Sequence, residues 1–258
     1  MKVAVSGKGG VGKTFIAAAL ASFFVKKGFK VLAVDADPSP NLALMLGVPL
    51  SQASTIKPLS EDWELIESKT STGYPGVYRL SFSVDDVVDR YAVKTPTGVY
   101  LLVMGTVKDA GGGCTCPANA LIRALMRHLI VDRSEAVVMD MEAGVEHLGR
   151  GTAKYVEHML IVTEPSFRSM DVAKKIYGLT LSLKVPKAYL VGNKVVEDRD
   201  VEAITSFAKD VGVPLLGLVP YDEGVAKAER TGQNPLLVEG VAVKAIRGIG
   251  EKLLTGLL

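Results

Sequence analysis

Along most of this chain the apolar residues fall in short continuous runs, not in alternation with polar ones. Val3-Ala4-Val5, Val31-Leu32-Ala33-Val34, Ala136-Val137-Val138-Met139 and Met159-Leu160-Ile161-Val162 are typical. Runs of this kind mark strands buried on both faces. The pattern predicts strands over Lys2–Ser6, Val31–Asp35, Tyr78–Phe82, Val99–Met104, Ala136–Asp140, Met159–Thr163, Ala188–Gly192 and Leu215–Val219. Helical periodicity falls between most of them, over Lys13–Lys27, Ala118–Ile130, Ser169–Ser182, Val201–Asp210 and Val241–Leu257. Alternating strands and helices imply an α/β fold, a mostly parallel central sheet flanked by helices on both faces. Residues 1–258 read as one such domain. Leu50–Thr97 breaks the rhythm: it holds Pro58, Pro75, Pro96 and Trp63, the only tryptophan, and reads as a long excursion with a strand inside.

Composition narrows the class. The chain has 258 residues, 48% of them hydrophobic, enough for one large core. A formal net charge of +2 with no basic cluster argues against a nucleic-acid partner. No apolar run is long enough to span a membrane, and a strand begins at Lys2 where a signal peptide would otherwise stand. Two cysteines one residue apart make no disulfide framework. A cytoplasmic location is the expectation.

The chemistry starts at Gly7-Lys8-Gly9-Gly10-Val11-Gly12-Lys13-Thr14, between the first strand and the first helix. The spacing G-x-x-x-x-G-K-[ST] is the phosphate-binding loop. Its backbone N–H groups must face phosphate oxygens, and the helix N-terminus adds partial positive charge. Lys13 is expected to reach the β- and γ-phosphates, and Thr14 to bind Mg²⁺. Ala136–Asp140 closes four apolar residues with an acid, the form expected of a carboxylate that holds Mg²⁺ through water. Gly144, four residues on, is placed to sense the γ-phosphate. Asp35 and Asp37 end the second strand, where carboxylates would meet the triphosphate. Val191-Gly192-Asn193-Lys194-Val195-Val196 lacks the aspartate that a guanine-reading Asn-Lys-x-Asp needs, since Val196 stands there; ATP is favoured over GTP.

A second informative stretch is Gly111-Gly112-Gly113-Cys114-Thr115-Cys116-Pro117. Two thiols at a loop–helix junction tend toward thiolate, the metal-binding form. One Cys-x-Cys pair supplies two ligands where tetrahedral thiolate sites need four. A two-fold dimer would bring two pairs together. Thiolate softness admits zinc, copper(I), iron–sulfur and nickel, so the ligands alone leave the metal open.

The early lysine, Lys8, makes the loop resemble that of the deviant P-loop ATPases, which include MinD, ParA and the nitrogenase iron protein. Asp89-Arg90-Tyr91, the Cys114-Thr115-Cys116-Pro117 turn and Asp140-Met141-Glu142-Ala143-Gly144-Val145-Glu146-His147-Leu148-Gly149-Arg150 are similar to one subgroup, the CooC-type ATPases that assist nickel insertion into carbon monoxide dehydrogenase. The resemblance implies a homodimer that hydrolyses ATP to ADP with Mg²⁺ and holds Ni²⁺, or Zn²⁺, through the paired Cys114 and Cys116. It implies carbon monoxide dehydrogenase apo-protein as partner, with acetyl-CoA synthase as a related client. By the same match Lys8 acts across the dimer on the partner's nucleotide. Asp37 orients or deprotonates the attacking water, Asp35 sits near the metal, Asn193 contacts adenine, and the Pro220-Tyr221-Asp222 turn covers it with backbone groups. Phe15 departs from the subgroup, which has a threonine there to help hold the α-phosphate. Two other outputs fit the same loop: a positioning ATPase of the MinD or ParA kind, for which the Val241–Leu257 helix is the available membrane segment, and an iron–sulfur electron-transfer ATPase.

Overall fold

The computed structural model describes residues 1–37, 41–74, 76–79, 81–105, 117–129, 135–141 and 156–256. Its centre is a sheet with strands β1 (Lys2–Gly7), β2 (Val31–Ala36), β3 (Val93–Lys94), β4 (Tyr100–Val103), β5 (Ala136–Met141), β6 (His158–Thr163), β7 (Ala188–Val195) and β8 (Leu215–Pro220), in the order β3-β4-β2-β5-β1-β6-β7-β8. Every pairing is parallel except β3 with β4. β1 lies between β5 and β6, so the chain winds outward in both directions from its first strand. In such sheets the crevice opens beyond the carboxyl ends of the strands where the winding reverses. The loop that follows β1 stands there.

The period of two along each strand sorts side chains into two cores. Val3, Val5, Val31, Ala33, Ala136 and Val138 point to one face, and Ala4, Leu32, Val34, Val137 and Met139 to the other. The first face is covered by α1 (Lys13–Lys26), α2 (Leu42–Met45) and α10 (Val241–Thr255), joined by Val225 of α9 (Glu223–Thr231). The second is covered by α4 (Trp63–Thr70), α5 (Asp85–Tyr91), α6 (Pro117–Arg127), α7 (Phe167–Ser182) and α8 (Asp198–Val211). α1 is apolar around nearly its whole circumference, because the sheet, α2 and α10 enclose it. In α10, Ala242, Val243, Ile246, Ile249 and Leu253 are buried, so its apolar stripe is spent on the core. No described helix is long and apolar enough to cross a membrane.

Three sequence expectations change. Tyr78–Phe82 is not a sheet strand: of its described residues only Tyr78 pairs, in an isolated bridge to Ser71. A strand needs a neighbour, and β3 already takes the place beside β4. The excursion is also more helical than its prolines suggested. α3 (Leu50–Ala53), α4 and α5 occupy much of it, and the Asp62 carboxylate starts α4 by accepting from Leu65 N at 3.2 Å. Leu65 and Ile66 then bury one face of α4 in the second core, where it packs on α6. Pro49 and Pro58 stand just before α3 and a 3₁₀ turn, Leu59–Glu61, where a missing N–H costs nothing. Helix α8 begins at Asp198, ahead of the predicted Val201, because Glu197 and Asp200 form a reciprocal cap.

Candidate functional site

The loop from Lys8 to Gly12 leaves β1 and enters α1. Two glycines fix its shape. A Cβ at Gly7 would run into the Val162 carbonyl of the neighbouring strand β6. Gly12 sits in the left-handed region at φ 92°. α1 starts with no side-chain cap and no acid in its first turn. Its leading N–H groups and its dipole are therefore directed at whatever occupies the loop. Lys13 is buried, and its ammonium donates to the Lys8 carbonyl at 3.4 Å, as does Val11 N at 3.4 Å.

Beneath the loop lie two acids. Strand register pairs Asp35 on β2 with Asp140 on β5, so the side chains stand next to each other on the α1 face. Both are fully buried. Asp35 has partners: its carboxylate accepts from Leu42 N at 2.9 Å and Asp37 N at 3.2 Å. Burial, helped by the adjacent Asp140, still pushes its pKa up to about 7. Burial pushes Asp140 up to about 6, against the pull of the Thr14 hydroxyl and the Lys13 ammonium. Neither Asp140 oxygen has a hydrogen-bond partner of normal geometry among the described residues. A buried, unpartnered carboxylate beside a threonine hydroxyl and a second acid is a donor set for a hard divalent cation. No group of three or more His, Cys, Asp or Glu among the described residues forms a metal cage by itself. That suits Mg²⁺, which is bound by one or two protein groups together with phosphate and water.

At the loop opens a cavity of about 860 Å³; Asp35 and Asp140 are buried and are not among the residues lining it. Gly9, Gly10, Gly12, Lys13, Thr14, Phe15, Asp37, Asn193, Pro220 and Asp222 all line it, so the structure brings these predicted residues to one place. Gly7 and Val11 are buried in the wall of the loop. Lys8 is half-exposed and is not among the residues lining the cavity. Cys114, Cys116 and Gly144 lie outside the described residues. Phe15 faces both ways: it lines the cavity and belongs to the first core.

The far end of the cavity is formed by Asn193, the Pro220-Tyr221-Asp222 turn and Gln233–Pro235. The Asp222 carboxylate is occupied with structure. It accepts from Gly224 N (3.0 Å) and Val225 N (3.4 Å) to cap α9, and from Ala242 N (3.2 Å) to hold the start of α10. The Asp222 side chain is thus committed to the fold. Asn193 donates from Nδ2 to the Val11 carbonyl at 2.7 Å, and its Oδ1 end is an acceptor suited to an exocyclic amine. Lys194 was absent from the expected site; it donates to the Gly10 carbonyl at 2.6 Å. Only the Asn-Lys dipeptide at a strand end pointed to it.

Comparison with known proteins agrees with this geometry. Residues 2–236 match the CobQ/CobB/MinD/ParA nucleotide binding domain family, CbiA. The chain is 44% identical over 253 residues to an uncharacterised ATP-binding protein of Methanocaldococcus jannaschii, covering 96% of each chain. It is 41% identical to the carbon monoxide dehydrogenase accessory protein CooC of Rhodospirillum rubrum, covering 90% of this chain and 88% of that one. Among solved structures, MinD in the MinC:MinD cell division complex of Aquifex aeolicus superposes with a TM-score of 0.71 at 19% identity, over 98% of this chain and 95% of that one. The last likeness concerns fold.

Proposed function

Because the chain belongs to the CobQ/CobB/MinD/ParA nucleotide-binding family, and within it to the CooC-type ATPases, we propose that it is an ATP-driven metallochaperone for carbon monoxide dehydrogenase. It is an ATP hydrolase. Its phosphates rest on the Lys8–Gly12 loop and the N-terminus of α1, with Lys13 at the β- and γ-positions. Thr14 and Asp140 would hold Mg²⁺, with Asp35 behind them; bound there, it neutralises the charge that develops as the γ-phosphoryl group leaves. Asp37 orients the attacking water. Gly144 senses the γ-phosphate, and Asn193 and the Pro220–Asp222 turn receive the adenine. Two copies meet across Lys8, each lysine reaching the other's nucleotide. The same meeting gathers Cys114 and Cys116 of both copies around one Ni²⁺, the cargo, for which Zn²⁺ can substitute. Hydrolysis loosens the dimer and releases the metal to the apo-enzyme, in the cytoplasm.

The observation that carries this reading is the likeness to CooC over 90% of the chain, joined to a cavity lined by the phosphate loop, Lys13 and Thr14, with a buried pair of acids on neighbouring strands, one of them beside Thr14 and Lys13. The fold likeness to MinD would equally allow a positioning ATPase. That output needs an apolar helix offered to a membrane, and α10 has its apolar side in the core. The test is anaerobic nickel titration of the metal-free protein with and without ATP, read by native mass and metal content. One nickel per two chains is expected. Replacing both cysteines, Cys114→Ser with Cys116→Ser, should abolish stoichiometric metal uptake and leave ATP binding intact. Undiminished uptake by the double variant would refute the cargo site.

A further inference from the structure

Lys194 holds a backbone conformation that its side chain does not favour. Its φ is 58°, in the left-handed region, one of two non-glycine residues so placed among the described residues. It sits in the irregular stretch of β7 where the pairing with β8 shifts register between Gly192 and Val195. Strain of this kind persists where the surroundings require it, and it gathers at working sites. Here the twist has a visible consequence. It delivers the Lys194 ammonium to the Gly10 carbonyl at 2.6 Å, while Asn193, one residue earlier, reaches the Val11 carbonyl at 2.7 Å. Two consecutive carbonyls of the phosphate loop are thus gripped by two consecutive residues of a strand more than 180 positions away, both of which also line the cavity.

The geometry of the peptide bond turns this grip into an orientation. In a trans peptide the C=O of one residue and the N–H of the next point in opposite directions. Fixing the Gly10 oxygen sets the Gly10–Val11 peptide, whose N–H closes the turn of the loop onto the Lys8 carbonyl at 3.4 Å, and fixing the Val11 oxygen points Gly12 N–H the opposite way. The first contact holds the shape of the loop, and the second aims a backbone donor of the kind a phosphate needs. The Lys194 ammonium is itself steadied by Glu164 at 3.7 Å, and Glu164 is anchored by its own N–H, which donates to the Ser169 hydroxyl at 3.2 Å on α7. We propose that Lys194 is a positioning residue of the phosphate site: with Asn193 it forms a back brace that presets the loop amides for a nucleoside di- or triphosphate. The proposal rests on the reading of this cavity as a nucleotide site. The lysine touches no ligand in this role. It acts through Gly10.

The test measures ADP and ATP affinity by calorimetry for the full chain and for Lys194→Met, Lys194→Gly and Lys194→Arg, each at low and at high salt. Loss of one charge-assisted hydrogen bond to the loop should weaken ADP about tenfold in Lys194→Met. Lys194→Gly removes the same ammonium but accepts a positive φ without strain, so it should be at least as stable as Lys194→Met yet bind ADP as weakly. Lys194→Arg should recover most of the affinity. Amide exchange at Val11 and Gly12 in the nucleotide-free protein should quicken in the Met and Gly variants. If Lys194→Gly binds ADP like the wild type, the lysine serves only its own strand and the brace is wrong. If the loss disappears at high salt, the lysine acts as a distant charge, which also overturns it. A wild-type chain that binds no nucleotide would instead defeat the reading of the cavity.

Discussion

Replacing Asp140 with asparagine should make the nucleotide-free protein more stable, and by an amount that depends on pH. The carboxyl is fully buried, and its pKa stands at about 6 against 3.8 for an ordinary aspartate. Above pH 7 the group is ionised in both the folded and the unfolded chain, and the folded form bears the whole desolvation cost. At ~1.4 kcal/mol per pH unit, a rise of roughly two units corresponds to about 3 kcal/mol. Between pH 6 and pH 4 the folded form takes up a proton that the unfolded form does not, so the cost fades; below 3.8 both are protonated and it is gone. Asparagine has the shape of the neutral acid and carries no such cost at any pH. Urea denaturation of the metal- and nucleotide-free chain should therefore show Asp140→Asn ahead of wild type by about 3 kcal/mol at pH 7.5 and by about 1 kcal/mol at pH 4.5. Mg²⁺ with ADP should reverse the order by stabilising the wild type far more. A variant less stable than wild type at pH 7.5, or a gap that does not change with pH, would refute the claim that this carboxylate is buried without adequate partners.

The remaining predictions concern the loop and its neighbour. Lys8→Ala should leave ADP binding intact, because the side chain is not part of its own cavity wall, but should lower ATP turnover by about 10³ if a lysine acting across a dimer does the work of an arginine finger. Mixing Lys8→Ala with Asp140→Asn chains should restore turnover in half the sites of mixed dimers; no rescue would place Lys8 in its own site. Phe15→Thr removes a ring that is 5% exposed in the core and should cost about 3 kcal/mol of stability, while the new hydroxyl tightens ADP binding. Denaturation midpoints and calorimetry on one preparation decide both halves, and an unchanged midpoint would contradict the burial of Phe15.

The parts of the site that follow from local chain chemistry were legible in the sequence. Gly7–Thr14 is a contiguous motif, and the apolar runs ending in Asp35 and Asp140 announced strands with acids at their carboxyl ends. What the runs did not announce was register. Nothing in either segment says that Asp35 and Asp140 face each other across neighbouring strands, because β5 pairs with β2 only after the chain has passed through β4 and α6. Lys194 was hidden for a similar reason. Its contact joins β7 to the loop after β1 across β6, and its positive φ lies where the β7–β8 pairing shifts register. The excursion read as irregular with one strand inside, because its apolar residues keep no long period; short helices such as the one Asp62 begins fill much of it.

The register of the two acids also explains how the floor of the site can move its wall. Asp35 is pushed toward the neutral form by burial and by the charge on Asp140. Yet it is the ionised form of Asp35 that best accepts from Asp37 N and Leu42 N, since charge-assisted hydrogen bonds are roughly twice as strong as neutral ones. A cation held at Asp140 would offset the repulsion between the pair and favour the carboxylate form of Asp35. The grip on Asp37 N would tighten as a result, at the residue proposed above to orient the attacking water. The coupling would run through two side chains, one backbone N–H and one strand pairing, and a few kcal/mol is sufficient to shift a two-state equilibrium decisively. The burial that destabilises the empty protein is thus also what makes the pair responsive to a cation; the pH series on Asp140→Asn measures the first, and its repetition with Mg²⁺ and ADP measures the second.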